Sequence, residues 1–512
     1  MDEKPTNLPV TVVVPVHDPG PYVEPCLRSL VEQSMSPQRY EVILVDDGST
    51  DGTAERLDEV AAAHPHVRVV HTTASGGPGR PRNLGLDLAR GEYVYFLDHD
   101  DWLGPEALER MYTAAAEVDA DILIGKVVGH GRGVARELFR ASRPRADLLD
   151  DGVVGFLTPH KLFRTALLRT YGIRFVEGRQ WLEDHRFVVA AYARAATVSV
   201  LADYVCCHWV KRAEKGTNLS ARRFDARGYF RAVRDVLDLV DTFVPSGIER
   251  DRWYAHWFHG KLLRQLSGRT VGHALVHGWH GGRHREIRRL TRERFGPAVD
   301  RWLPVSMRLR AALLRSRGRR LTLARLAAAE HGLTIASRVR RLTWKDGELV
   351  VEVEARLRYA DGAPVVFRRD ASGRVWWEPP IRVRGLPLAE ICDVTDLLPE
   401  SRLWVYVRHR DDHGDYPLPG SWSVDLGHGQ PRFTATARFA VDSARLGSPA
   451  EAGIWDPIVR LEACGWGVQR RPARSDSELP DPPAPERRAG RNGRIVRPYW
   501  TQAGNLSIRV GR

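Results

Sequence analysis

Lysine is scarce in this chain. Only seven of its 77 basic residues are lysine and the rest are arginine, which reads as a genomic bias toward Arg codons and lowers the functional weight of any single arginine. Cysteine is also sparse. Cys26, Cys206, Cys207, Cys392 and Cys464 are odd in number and show no CxxC spacing, which excludes a disulfide framework and a structural zinc site and points to a reducing compartment. Cys206-Cys207 reads as core. No run of 18 apolar residues exists, so no segment is expected to span a membrane. The start, Met-Asp-Glu-Lys-Pro-Thr-Asn, lacks the basic and apolar regions of a signal peptide. The expected location is therefore cytoplasmic, with peripheral contact at the inner face of the cell membrane left open.

The 512 residues are enough for two to four domains, and 43% apolar content is ordinary for globular protein. The formal charge is +13, but the excess is concentrated: residues 281–320 hold thirteen arginines against Glu286, Glu293 and Asp300. A solvated helical face is one reading of that segment, and a surface for an anionic polymer or membrane is the other. No aromatic-rich platform or zinc-finger pattern accompanies it, so nucleic acid is not an expected partner.

The most informative stretch is 96-FLDHDD-101, which follows an apolar run from Tyr93. Acids clustered where a buried strand surfaces call for a counter-charge, and Asp-x-Asp on an extended segment points two carboxylates the same way. That arrangement suits Mg2+ or Mn2+ carrying a diphosphate. In the alternative, Asp101 caps a helix from Pro105.

Strands and helices alternate over the first 120 residues. Strands are expected at 10–16, 41–45, 67–71 and 92–97, and helices at 22–33, 51–63 and 84–90, with 75-SGGPGRPRN-83 as a loop. Continuous apolar strands of this kind imply a parallel sheet covered on both faces, with ligands at the carboxyl ends of the strands. Asp18, Asp46-Asp47, the 75–83 loop and 98–101 all fall at those ends. Further strands are expected at 121–125 and 197–210, around a helix at 181–195 that starts with Glu183-Asp184. The catalytic unit is placed at 1–223 and an Arg-rich helical region at 224–333, with helices at 228–243, 249–266, 284–295 and 306–330. Beyond Thr334 the period is two. The region 334–512 is therefore a β-sandwich-like module in which 349–359 forms a hairpin with 364–369, strands follow at 403–410 and 432–441, 471–492 is an exposed loop, and a last strand pair lies in 494–510.

In order, 13-VVPVHDPGPY-22, 43-ILVDDGSTDGT-53, 76-GGPGRPRNLGL-86, 96-FLDHDD-101 and 182-LEDHRF-187 resemble the family 2 inverting glycosyltransferases of GT-A fold, over roughly residues 8 to 220. The resemblance implies that Pro15, Val16 and His17 line a nucleobase pocket. It also implies that Asp47 accepts the imide N–H of uracil or thymine, that Arg82 meets base or phosphates, and that Gly79 permits close backbone approach. Asp98 would bind ribose or metal-bound water, and Asp100 would coordinate Mg2+ or Mn2+. Asp184 is the implied catalytic base, with Glu183 structuring the site or touching the sugar. His208, Lys211, Arg212, Thr217 and Ser220 would form a segment closing on the pyrophosphate. His99 departs from the small residue usual in the middle of the acidic motif. It either adds a ligand, donates to the sugar or points aside, and the last is favoured.

The helical middle and β-rich end are similar in architecture to the wall teichoic acid glycosyltransferases. This second resemblance implies a UDP- or dTDP-sugar donor, an anionic cell-wall polymer as acceptor, and a homo-oligomer held by the C-terminal modules. The alternatives are the same chemistry on a small-molecule or protein acceptor, or a non-catalytic glycopolymer-binding protein.

Overall fold

The computed structural model describes residues 8–131, 133–134, 136–211, 225–268, 282–411, 415–427, 430–440, 452–474, 483–489 and 493–511. Two compact units divide the chain, Met1–Trp253 and Tyr254–Arg512.

The first unit is built on an eight-stranded sheet. In chain order its strands are β1 Val10–Val16, β2 Tyr40–Asp46, β3 Val67–His71, β4 Tyr93–Phe96, β5 Trp102–Leu103, β6 Ile122–His130, β7 Leu162–Arg164 and β8 Val198–Val210, and they lie in the order β3-β2-β1-β4-β7-β6-β8-β5. Every residue of β1, β2 and β4 is buried, as expected of strands covered on both faces. β1 to β4 pair in parallel. The all-parallel expectation ends there, because β7 runs antiparallel to both β4 and β6, and β5 antiparallel to β8. The helices are α1 Val23–Val31, α2 Thr53–Ala63, α3 Gly79–Leu88, α4 Ala107–Glu117, α5 Thr165–Thr170, α6 Glu183–Tyr192 and α7 Ala226–Phe243. α7 packs against α6, where the Trp181 and Tyr229 rings meet edge to face at 5.5 Å.

Two expectations for this unit are corrected. Asp101 does not cap a helix. It is 1% exposed, accepts the Val210 N–H at 2.7 Å, and precedes the short strand β5, while α4 starts only at Ala107. The Gly-rich stretch is also not all loop, since α3 begins at Gly79 itself. A Cβ on Gly79 would lie 2.2 Å from the Val176 carbonyl oxygen, and one on Gly77 would lie 2.6 Å from that of Gly178. The close approach these glycines permit is therefore to the chain's own segment at 176–178. Asn83 fixes the same segment by donating to the Phe175 carbonyl and accepting its N–H, both at 2.9 Å.

In the second unit, the helical stretch expected at 306–330 is two helices, Val305–Arg315 and Arg320–Ala329, broken at Gly318 with φ +72°. A buried pair, Arg310 Nη1 to Glu330 Oε2 at 2.5 Å, ties them together. The strand-rich remainder forms two main sheets. One orders Gly420–Asp425, Arg432–Phe439, Glu348–Arg358, Thr334–Lys345 and Ala473–Arg474. The other runs from Asp415–Pro417 through Arg402–His409, Gly453–Ala463, Leu506–Gly511 and Arg494–Trp500 to Arg487–Ala489. Leu349, Val351, Val353 and Ala355 alternate into the core, which is the period-two pattern seen in the sequence. The partners of Glu348–Arg358 are Thr334–Lys345 and Arg432–Phe439, whereas Val366–Arg369 pairs with Val375–Glu378. The Asp361-Gly362 turn closes only the start of the expected hairpin: Arg358 bridges Pro364 antiparallel, with the Tyr359 N–H donating to the Ala363 carbonyl at 2.8 Å and the Val365 N–H to that of Leu357 at 3.3 Å, before the chain leaves for Val375–Glu378. The 471–492 stretch, expected as a loop, supplies two short strands, Ala473–Arg474 and Arg487–Ala489.

Gly79→Ala is expected to cost about 1–3 kcal/mol, the usual range for overpacking, because the new methyl meets backbone. Urea denaturation of the two proteins reads the difference.

Candidate active site

The parallel half of the sheet brings the ends of β1, β2 and β4 to one edge, and the site is assembled there. The backbone after β1 is held from two sides. The His17 ring Nδ1 lies 3.0 Å from the Asp47 carbonyl oxygen, and the His99 ring Nδ1 lies 3.1 Å from that of Pro15. His99 thus does more than point aside: it laces the end of β4 to the end of β1, beside Val16. Asp18 sits at φ +41° and accepts the Thr50 N–H at 2.7 Å.

Asp47, expected to face a nucleobase, is 3% exposed and accepts both the backbone N–H (3.0 Å) and hydroxyl (2.8 Å) of Ser75. In this structure its carboxylate anchors the loop after β3. Its neighbour Asp46 accepts the Ser49 N–H and lies 3.0 Å from His71 Nδ1. Burial opposes its ionisation, but His71 and Ser49 prevail and lower its pKa.

Arg82 occupies the centre. It is 2% exposed, and its two terminal nitrogens donate in different directions, Nη1 to Asp184 Oδ1 and Nη2 to Asp98 Oδ1, each at 2.7 Å. Its Nε is buried with no acceptor, and its guanidinium lies 4.9 Å from the Phe175 ring centre. Burial works against this cation, yet Asp184 and Asp98 outweigh it and hold the pKa above the ordinary value. Arg82 was expected to meet base or phosphates. Here both arms of its fork are taken by the two carboxylates assigned to opposite ends of the chemistry. α3 supplies all of this, with Arg82 gripping the acids while Asn83 and Gly79 dock the strand-like segment that leads into α6.

At the head of α6, Leu182 adopts φ +59°, a left-handed conformation that a branched side chain rarely takes. That turn aims the adjacent acids. Asp184 takes the Arg82 bond. Among the described residues Glu183 makes no ion pair, and burial, reinforced by the Asp184 charge, pushes its carboxyl up to about 7.

Two residues that the motif reading passed over also line the site. His160 is 2% exposed, with its Nε2 at 3.0 Å from Asp101 Oδ2 and 3.8 Å from Asp98 Oδ2. Burial favours neutral imidazole, but these two carboxylates raise its pKa, whereas burial raises Asp101 to about 6. Burial likewise opposes ionisation of Asp98, but Arg82 and then His160 take it well below the usual carboxylate range. Lys161, fully buried, bonds the Thr158 carbonyl and lies 4.4 Å from the Phe156 ring centre. Burial drives its pKa well down. The only sequence signal for either residue was a His-Lys pair set directly against the buried run Leu162-Phe163.

Among the described residues, one group of metal-ligating side chains brings its ligand atoms within 4.8 Å of one another: Asp98, Asp101 and His160. Asp101 Oδ2 and His160 Nε2 are buried without an aligned hydrogen bond despite their proximity, which leaves lone pairs that a cation could take. Two carboxylates and an imidazole fit a divalent ion of the Mg2+/Mn2+ type. Asp100, the expected ligand, lies in the same turn but outside that group.

His208 lies within β8, stacked on Trp102 at 5.1 Å, with its Nδ1 3.0 Å from His130 Nε2. It belongs to an aromatic cluster at the sheet's edge. Arg212, Thr217 and Ser220 fall outside the described residues.

Residues 11–181 match the family model described as glycosyl transferase family 2, and residues 226–327 match the glycosyl transferase TarS linker domain. A poly(ribitol-phosphate) beta-glucosyltransferase of Bacillus spizizenii is 38% identical over 233 residues, 45% of this chain and 36% of that protein. The poly(ribitol-phosphate) beta-N-acetylglucosaminyltransferase TarS of Staphylococcus aureus is 34% identical over 44% of this chain and 39% of its own length. The chain thus spans well under half of these relatives. A crystal structure of S. aureus TarS matches with TM-score 0.54 over 98% of this chain and 85% of that one, at 22% identity, a likeness of fold. Residues 1–349 of TarS in complex with UDP-GlcNAc match with TM-score 0.54 and 26% identity, covering 70% of this chain and 98% of that one.

Glu183→Gln should remove a pH-dependent penalty. A carboxyl held near 7 in the fold but near its ordinary 4.5 when unfolded keeps its proton longer in the folded state. The wild type therefore loses stability relative to the variant as pH rises from about 4.5 to about 7. Melting temperatures of both proteins at pH 4.5 and pH 8 read this, with the variant gaining at the higher pH.

The chain carries a glycosyl transferase family 2 domain followed by a glycosyl transferase TarS linker domain.

Proposed function

We propose that this protein transfers a sugar, with inversion, from a UDP- or dTDP-sugar to a hydroxyl of a teichoic-acid-like polyol-phosphate polymer. The observation that carries the reading is the Arg82 bridge, which sets Asp184 and Asp98 at fixed positions on one site edge. The printed names of the relatives, poly(ribitol-phosphate) transferases, support the acceptor class, and the UDP-GlcNAc complex of TarS supports a uridine donor. No helix among the described residues is long and apolar enough to cross a membrane. Action at the cytoplasmic side of the envelope, with peripheral membrane contact, belongs to the same proposal, as does assembly into a homo-oligomer.

In this reading Asp184 accepts the proton of the acceptor hydroxyl as that oxygen attacks the anomeric carbon from the face opposite the diphosphate. Arg82 holds the carboxylate in place through its Nη1. Glu183, beside it, faces the sugar or the acceptor. The Asp98–Asp101 turn with His160 would hold a divalent ion, which when bound supplies charge neutralisation to the departing nucleoside diphosphate. Asp47 and His17 shape the nucleobase end through the backbone they hold, and Pro15 and Val16 form its wall.

Asp184→Asn should lower the rate of sugar transfer by a factor of about 100 to 10,000, the usual contribution of a positioned base, while binding of UDP changes less than threefold. Radiolabelled transfer and calorimetric titration with UDP separate the two quantities. Transfer at the wild-type rate by a folded variant would remove Asp184 from the role.

A further inference from the structure

Within the second unit, several arginines of the 281–320 segment are occupied by the fold. Arg315 pairs with Asp300 through both terminal nitrogens, Arg310 is buried against Glu330, Arg289 pairs with Glu293 at 3.1 Å, and Arg308 donates to the carbonyls of Leu303, Arg301 and Asp393. The segment as a whole is therefore not a free basic surface.

One corner differs. On the helix Arg283–Arg294, Arg285, Arg288 and Arg292 recur at i, i+3 and i+7, which places them along one face. Arg285 and Arg292 are exposed, as is Arg320 at the start of the helix Arg320–Ala329. Arg288 donates its Nε to the Leu314 carbonyl at 3.0 Å, but its Nη2 is buried with no acceptor. Arg288 and Arg320 converge on His284: burial first, then these two cations, pull that imidazole down to about 4. Among the described residues, none of Arg285, Arg288, Arg292 and Arg320 lies within ion-pair distance of a carboxylate. Like charges gathered without a counter-ion cost stability unless an anion is supplied from outside, and a buried guanidinium N–H without an acceptor costs more.

We propose that Arg288, with Arg285, Arg292 and Arg320 around it, forms a binding site for a phosphodiester of the acceptor polymer, remote in sequence from the transfer site. This rests on the polyol-phosphate reading of the function and deepens it by naming residues that engage the acceptor. The guanidinium fork matches two phosphate oxygens, and arginines one helical turn apart present successive donors to a linear polyanion. Arg285 and Arg292 are the donors that a linear polyanion meets on this helix face, with Arg288, its Nη2 buried without an acceptor, between them in sequence. The helix Arg283–Arg294 holds no Trp, Tyr or Phe on which a nucleic-acid base could stack.

The test uses the full chain and purified poly(ribitol phosphate), with binding read by calorimetry and nucleotide-sugar hydrolysis read in parallel. Arg285→Glu/Arg320→Glu should weaken polymer binding at least tenfold and leave donor hydrolysis within twofold. Arg288→Gln, which keeps a polar side chain, should weaken binding at least threefold. A control pair on exposed residues elsewhere in the unit, Arg382→Glu/Arg384→Glu, makes the same change in net charge and should leave binding within twofold. Unchanged binding in the first pair, an equal loss in the control, or a loss confined to vesicles containing anionic lipid would each overturn the site. Absence of donor turnover in the wild type, with polymer binding still lost in the first pair, would instead refute the transferase reading and leave the polymer site standing.

Discussion

The site depends on a single buried cation. Arg82 is enclosed by protein and reaches Asp184 with one nitrogen and Asp98 with the other. A guanidinium that deep is costly to desolvate, and the two carboxylates offset that cost while being fixed by it. The consequence is geometric as well as energetic. Asp98 opens the turn after β4, Asp184 belongs to the first turn of α6, and the residues are 86 positions apart in sequence (184 minus 98). One side chain sets their spacing, and with it the relation between the diphosphate end and the proton-accepting end of the proposed reaction.

The rest of the N-terminal unit supports that placement. The glycines before Arg82 do not wait for a ligand. They let α3 lie against the backbone at 176–178, and Asn83 locks Phe175 in register. The chain then turns through a strained Leu182 into the acidic pair. His160 completes the arrangement, with its Nε2 3.0 Å from Asp101 Oδ2 and 3.8 Å from Asp98 Oδ2. The motif stretches therefore act as one interlocked structure in which each conserves the position of another.

Much of this was legible in the sequence. The strands β1, β2 and β4 were evident because strands buried on both faces read as unbroken apolar runs, and the strand-end acids were evident because polarity flips there. The period-two residues of 349–357 gave away the strand-rich second unit. What was not legible depends on contacts between distant segments. Nothing local distinguishes a phosphate-facing Arg82 from one turned inward, and His160 lies in no motif. The antiparallel insertion of β7 follows from tertiary pairing, since three residues carry no direction. The extent of the hairpin after Glu348–Arg358 was missed for a related reason: the Asp361-Gly362 turn does bring Pro364 back against Arg358, but Val366–Arg369 then finds a different neighbour. The Arg-rich segment misled in another way. Composition counted thirteen arginines, and only side-chain geometry shows which of them the fold already uses.

The account stands on the coupling between Arg82 and its two carboxylates, and a double-mutant cycle measures it directly. Stabilities of Arg82→Met, Asp184→Asn and the double variant, each from urea denaturation at pH 7, give the interaction energy. The account predicts that Arg82→Met alone costs about 3–5 kcal/mol, the range for stripping a buried charge of its partner. It also predicts that adding Asp184→Asn costs less in that background than in the wild type, with a coupling of at least about 1 kcal/mol. Strictly additive losses would contradict it, because Arg82 would then not be what holds the site together.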